Sequence, residues 1–488
     1  MKKLDFDRHF ELAETVFQVL FLIYTILGFN SVSFGTPIIS CFMWASFVLG
    51  AGLLLVRLRK WKDYIAMPGL VLLLAMCVIC VASILVNLQY NLKKNIIYLI
   101  FWVFYFLMFY AQSKQTASDL VKKRFLLLGH VICVCAFILV VISLWMMYAR
   151  YSEVTHINGS EVTRGFTYGR LFGAYLTPNG GAVVASIVIF LSLHFIGKYK
   201  SLLYRIWAAL NILVQFAYIT FSDSRSGTLA LAFGGAVYVC FAALGRLQKM
   251  RGRTKVALVV TVTVMTLVAG VFAPSVAQKA YNGVVVELSE QMAQQQTQVS
   301  DKTGTSFFAI QFGSSAAQTN PEDIIDSYVV DRGYDLSKDI SNRRFDVWKS
   351  GIEIFAQRPW LGTTFCGFLP FALEYLPDTY IVTNDYLQMD TLDNDFVNLL
   401  VSNGIFGFLL FVLFVLCVLI YILRNYARME EKDPQIPVMM AVCMAAATFS
   451  MFTSGVLYMH SPFSAFFWLA LGGLVVLVSN GNKEKNNA

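Results

Sequence analysis

The sequence predicts an all-α polytopic membrane protein of about twelve transmembrane helices, with one large extracytoplasmic loop containing short amphipathic helices. Three observations predict it. Of 488 residues 57% are hydrophobic and only 14% charged, with a mean hydropathy of +0.62, where a soluble domain carries about 25% charged residues. Twelve mostly apolar stretches of about the length a bilayer requires lie near 15–34, 38–56, 66–87, 95–112, 125–148, 180–197, 203–221, 227–245, 256–273, 396–422, 437–457 and 462–480. Roughly 120 residues between Pro274 and Phe396 interrupt that pattern. Backbone groups in lipid must be satisfied internally and no period-2 pattern recurs, so the spans are expected to be helices rather than barrel strands.

Residues 1–274 then hold nine spans, 275–395 the loop, and 396–488 three more spans with a short tail. The first span follows Met1-Lys2-Lys3 and a polar stretch to Glu14, and is long enough to be permanent rather than a cleaved signal. Basic residues cluster after the even-numbered spans: Arg57, Arg59, Lys60 and Lys62; Lys114, Lys122, Lys123 and Arg124; Lys198, Lys200 and Arg205; Arg246, Lys249, Arg251, Arg253 and Lys255; Arg424, Arg428 and Lys432. Such residues favour the cytoplasmic side, which puts both termini inside. Lys93-Lys94 is an exception. The formal charge of +8 is thereby a topology signal rather than a nucleic-acid footprint.

The loop runs the other way, with 8 basic and 17 acidic residues between Ser275 and Asp395, a net of −9. Its first part, 275–340, reads as polar and partly mobile. Residues 344–357 place Phe345, Trp348, Ile352 and Phe355 at spacings of three and four, one apolar helix face expected on the membrane surface or the bundle. Arg358-Pro359 should end that helix, and Gly362 and Gly367 should turn the chain. The paired broken helices of secondary transporters are not evident in the sequence.

Eight of nine cysteines sit in apolar spans, leaving Cys366 alone outside, so no disulfide framework is expected. Cys77 and Cys80 lie mid-span without polar company, which reads as packing. No metal-ligand spacing, phosphate-binding loop, dinucleotide fingerprint or nucleophile elbow is present.

Four exterior places combine ionisable groups with restricted geometry. Arg164 and Arg170 precede Thr177-Pro178-Asn179, where a helix entry can expose N–H groups to an anion; the plainer reading is a turn and a cap. Ser222-Asp223-Ser224-Arg225-Ser226-Gly227 is a short turn whose guanidinium can meet a phosphate in bidentate fashion, or pair with Asp223 or a lipid headgroup. Arg344 stands four residues before Trp348 on one helix face, with Asp339 or Asp346 as its bland partner. Asp393-Asn394-Asp395 can supply a general base or a helix cap, and a divalent-cation site with Asp385 or Asp390 is a remoter option. Among histidines, His156 reads as a solvated loop residue, while His460 can reach the site from its short turn.

These pieces together resemble the O-antigen ligase and Wzy-type polysaccharide polymerase superfamily, across roughly residues 160–420. The resemblance rests on Ser222 to Gly227, on Arg344-x-x-x-Trp348 leading to Arg358-Pro359-Trp360-Leu361-Gly362, and on Asp393 to Gly407. It implies glycan transfer from a polyprenyl-diphosphate (undecaprenyl-type) carrier to an acceptor hydroxyl, outside a bacterial cytoplasmic membrane, with no cofactor. No second carboxylate is evident as a covalent nucleophile, so direct, metal-independent attack that inverts the anomeric centre is expected. The resemblance also implies that Arg225 and Arg344 hold the diphosphate, joined by Arg170 and Arg164. Ligases of the family commonly place His where this chain has Asp393. That substitution favours a polymerase of capsular, exopolysaccharide or O-antigen chains, and leaves Asp393, Asp395 and His460 as alternative bases. Expected partners are lipid-linked oligosaccharide, the bilayer, a flippase and a chain-length regulator, and no nucleic acid. A ligase, or from another class a lipid-linked oligosaccharide flippase, are the competing readings. A flippase should carry charges within its spans, which are nearly free of them here.

Overall fold

Long runs such as Leu70-Val71-Leu72-Leu73-Leu74 leave the backbone no water to bond, and the helix is the local answer. The computed structural model describes residues 2–113, 115–157, 160–248, 250, 252–300, 328–331, 341, 343–384 and 391–487. Its principal helices are α1 (Lys2–Gly28), α2 (Pro37–Arg59), α3 (Leu70–Val86), α4 (Leu92–Phe104), α5 (Ser118–Tyr148), α6 (Pro178–Lys198), α7 (Leu202–Ser222), α8 (Arg225–Arg246), α9 (Arg253–Ser300), α10 (Arg344–Gln357), α11 (Asp395–Arg428), α12 (Ile436–Ser450) and α13 (Pro462–Asn487). Each of the twelve expected spans is found as a helix. Ten are long and apolar enough to cross a membrane, α4 doing so with the π-helical turn Tyr105–Tyr110 that continues it. The 17 residues of α3 and 15 of α12 are shorter. Helices α6 and α13 form the centre, with 83% and 89% of their apolar windows buried, whereas α9 is peripheral at 6%.

The short α12 has a physical cause. After it, residues 451–461 leave the helix, and their backbone groups are re-satisfied by side chains. Asn394 Nδ2 donates to Met451 O, Trp102 Nε1 to Leu457 O and Trp468 Nε1 to Val456 O. Asp395 accepts from the N–H groups of Val456 and Leu457.

A second break lies inside α11. Gly404 has φ 63° and ψ −168°, and a Cβ there would stand 2.2 Å from Trp360 O. The loop segment 359–364 docks into the gap: Ile405 N donates to Pro359 O, Thr363 N to Val401 O and Thr364 N to Ser402 O. Gly362, at φ 69°, lies where a Cβ would be 2.3 Å from Val401 O. Ser83 of α3 and Asn87, which caps its end, donate to Ser402 O and Gly362 O. A segment of the large loop is thus stitched into the span that follows it.

Four features depart from the sequence reading. A three-stranded antiparallel sheet, β1 (Ser152–Ile157), β2 (Ser160–Thr167) and β3 (Arg170–Gly173), occupies the connection between α5 and α6. Helix α9 does not stop at Pro274 but continues to Ser300, so the start of the large loop is helical. Its outer half is tied down by Gln278 and Asn282, which both donate to Val330 O. The remainder of the stretch read as mobile lies mostly outside the described residues. Helix α10 has the expected limits, but it packs on α11 through Val347, Gly351 and Ile354, while Phe345 and Ile352 remain 66% and 50% exposed. Of the apolar face read from the sequence, Phe345 and Ile352 therefore point outward, while Trp348 and Phe355 are half-buried.

Finally, Arg57 and Arg124 do more than mark a membrane side. Both are buried against Glu14 of α1, with N–O distances of 2.7 and 3.1 Å. Arg57 also donates to Leu107 O and Ala111 O, closing the end of the π-helical turn. This triad locks α1, α2, α4 and α5 together. Leaving any one of its charges buried alone would cost about 3–5 kcal/mol.

Candidate active site

The helices alternate in direction, so the N-termini of α6, α8 and α11 share one side of the bundle. The site residues gather at these ends, in two groups.

The first group is built by β3 and two helix starts. Thr177 caps α6 by accepting from Gly180 N, and Ser224 caps α8 by accepting from Gly227 N. Asn179 Oδ1 accepts from both Ser224 Oγ (3.0 Å) and Arg170 Nη2 (3.1 Å). Arg170 also donates through Nε to Ser222 O at 3.0 Å. The motif Ser222–Gly227 and the Thr177–Asn179 entry therefore meet, with Arg170 as the clamp between them. Arg225 begins α8 at this junction. Arg164 points elsewhere in its bonding. It donates from Nε and Nη2 to Ser31 O and pairs with Glu153 at 2.9 Å, fastening β2 to β1 and to the end of α1.

The second group surrounds the start of α11. Here the three polar residues of Asp393-Asn394-Asp395 divide their duties. Asn394 is the cap, its Oδ1 accepting from Phe396 N and Val397 N. Asp395 is 2% exposed and staples the 455–457 segment through Oδ2. Asn398 accepts from Leu392 N and donates to Ser454 Oγ. Asp393 alone keeps access: its backbone is left-handed at φ 49°, and its side chain retains 38% of its surface. Burial nevertheless raises its carboxyl above the ordinary carboxylate value, against the pull of Arg344 and of the Thr391 hydroxyl.

Arg344 is the partner brought to it. Its Nε is 3.9 Å from Asp393 Oδ2, too far for a hydrogen bond, and its side chain is 17% exposed. The guanidinium makes no hydrogen bond among the described residues, and its buried Nε has no acceptor. One turn further on, the indole Nε1 of Trp348 is in the same condition.

His460 packs among aromatic rings. It stacks on Phe101 at 3.4 Å and lies 4.7 Å from Tyr98, with Nδ1 unpartnered. Burial pushes its pKa down to about 3, which keeps the ring neutral. Among the described residues no three His, Cys, Asp or Glu side chains are grouped to hold a metal, and Asp385 and Asp390 lie outside the described residues.

The sequence reading missed Asn179 as the shared acceptor and the staple made by Asp395. Both are contacts across 45 to 62 residues, and no local pattern announces them.

The family model described as O-antigen ligase matches residues 210–412. The match takes in Arg225, Arg344, Asp393 and Asp395, and leaves Arg164, Arg170 and His460 outside. No curated protein matches the chain. Members of the family are membrane enzymes of the glycosyltransferase kind. Over residues 210–412, this multi-pass membrane chain is similar to the O-antigen ligase family.

Proposed function

We propose that the protein is a polysaccharide polymerase. It transfers a glycan from a polyprenyl-diphosphate carrier to a hydroxyl of another lipid-linked repeat unit, on the outer face of a bacterial cytoplasmic membrane. The observation that carries this reading is Arg344: a largely buried guanidinium with no hydrogen bond among the described residues, beside an accessible carboxylate.

The chemistry follows from that pair. As an acceptor oxygen approaches the anomeric carbon, the bond from that carbon to the diphosphate oxygen lengthens. Negative charge grows on the leaving oxygen. Arg344 and Arg225 stabilise it, and arginine cannot lose its proton in doing so. Asp393 accepts the acceptor's proton, and its raised proton affinity suits it to that task. The displacement is single, so the anomeric configuration inverts and polyprenyl diphosphate departs. Arg170 and Arg164 position the turn and the sheet. Asp395 fixes the 455–457 backbone. Neutral His460 is a poor proton acceptor, and it serves as packing against Phe101. The net −9 of the loop favours a neutral glycan or an arginine-lined approach.

Deleting the gene and measuring the lipid-linked glycan tests this reading. Single repeat units accumulating on the outer face, open to an added glycosidase, are the expected result. Long polymer still attached to lipid would indicate a ligase. Single units shielded on the inner face would indicate a flippase and overturn both transfer readings.

A further inference from the structure

We propose that Trp348 is a glycan-positioning residue, its indole N–H donating to a hydroxyl of the lipid-linked sugar held beside Asp393. The inference rests on the transfer reading above and names the part of the substrate that Trp348 meets.

A buried indole N–H normally has an acceptor. Two other tryptophans of this chain obey that rule, Trp102 Nε1 bonding Leu457 O at 2.8 Å and Trp468 Nε1 bonding Val456 O at 3.3 Å. Trp348 Nε1 is equally enclosed yet has none. Nor is it isolated. Four residues earlier on α10, Arg344 Nε is a second buried donor without an acceptor, and residues four apart lie one above the other on a helix, about 6 Å apart in rise. Two orphan donors on one stripe, the first of them 3.9 Å from Asp393, leave unmet demand for oxygen atoms, since a buried donor without a partner costs about 1–3 kcal/mol.

The surroundings select the kind of oxygen. Phe345 stands edge-on to Trp348, with ring centroids 5.5 Å apart and planes at 79°, and is 66% exposed. The donors are therefore bordered by an aromatic wall open on one side. A phosphate would use the guanidinium but has no use for apolar rings. A sugar has hydroxyls on its edge and C–H groups on its faces, and fits both. Binding sites of this kind combine apolar walls with a few placed polar groups.

The test compares Trp348→Phe with the wild type, both purified in lipid nanodiscs. Phenylalanine keeps an aromatic ring, while removing the donor and part of the ring system. Two probes are used: the lipid-linked repeat unit extracted from a strain lacking the gene, and undecaprenyl diphosphate alone. The expected result is roughly 3- to 10-fold weaker binding of the repeat unit, the worth of one hydrogen bond. Binding of the bare carrier should be unchanged, and the melting temperature should not fall. Equal weakening of both probes would place the indole on the carrier or the membrane surface and overturn the proposal. Unchanged binding of the repeat unit would also overturn it. Turnover is measured in the same samples. Wild type that binds the repeat unit but transfers nothing would defeat the transfer reading, while a selective loss in Trp348→Phe would still establish the sugar contact.

Discussion

Arg344→Ala is expected to lower glycan transfer by at least 10²- to 10³-fold, the range seen when one preorganised donor to a developing anion is removed. The same variant should melt within a degree or two of the wild type. This combination is unusual for a largely buried arginine, and it follows from one fact. Arg344 makes no hydrogen bond within the described protein, and its nearest carboxylate oxygen is 3.9 Å away. There is little for the fold to lose. Arg344→Lys keeps the charge but not the planar fork, so it should recover only part of the rate. Arg170→Ala should behave differently, because Arg170 bonds Ser222 and Asn179. It should lose both stability and activity. Melting curves and initial rates on the same preparations check all three.

Asp393→Asn is expected to reduce the rate by about 10²- to 10⁴-fold, the usual contribution of a positioned general base. In the wild type the rate should fall on the acid side as the Asp393 carboxyl protonates. Because burial raises that carboxyl, the fall should begin at a higher pH than for an ordinary aspartate, and Asp393→Asn should lack that limb. The sign for stability is the reverse of the usual carboxylate case. A carboxyl whose folded pKa is raised holds its proton more tightly when folded. Its ionisation therefore costs stability as pH rises from the unfolded value of about 3.8 through the raised one. Above that window Asp393→Asn should be neutral or slightly stabilising. Asp395→Asn differs in kind. It disturbs the carboxyl acceptor that holds Val456 N and Leu457 N, so the bundle should melt lower whatever the pH–rate profile does. A pH–rate series on the two variants separates base from staple.

The contrast between these neighbours shows what the sequence could reveal. Apolar runs of about twenty residues report membrane helices directly, so the twelve spans were legible to within a few residues at most ends. The limits of α10, Arg344 to Gln357, were legible from its period and from Pro359. Which of Asp393, Asn394 and Asp395 caps α11 was not. The choice depends on where Met451 and Val456 come to lie, more than fifty residues away. The fate of Arg164 and Arg170 was hidden for a similar reason. Their strands are short, and their partners lie in other elements. Pro274 was taken as a helix end, although the helix passes through it with support from Val330. Gly404 looked like one more small residue in a span. Its positive φ became visible only with Trp360 packed against it. The pairing of Glu14 with Arg57 and Arg124 likewise spans 43 and 110 residues.

The central claim is that the protein by itself joins lipid-linked repeat units, through Arg344 and Asp393. Its most direct test is to place the purified protein in vesicles holding only the lipid-linked repeat unit and to separate the products by length. The account predicts a ladder of lipid-linked chains, each longer by one unit, from the wild type and not from Arg344→Ala. A wild-type sample that leaves only single units, in vesicles where the protein is folded and the repeat unit faces the site, would contradict it.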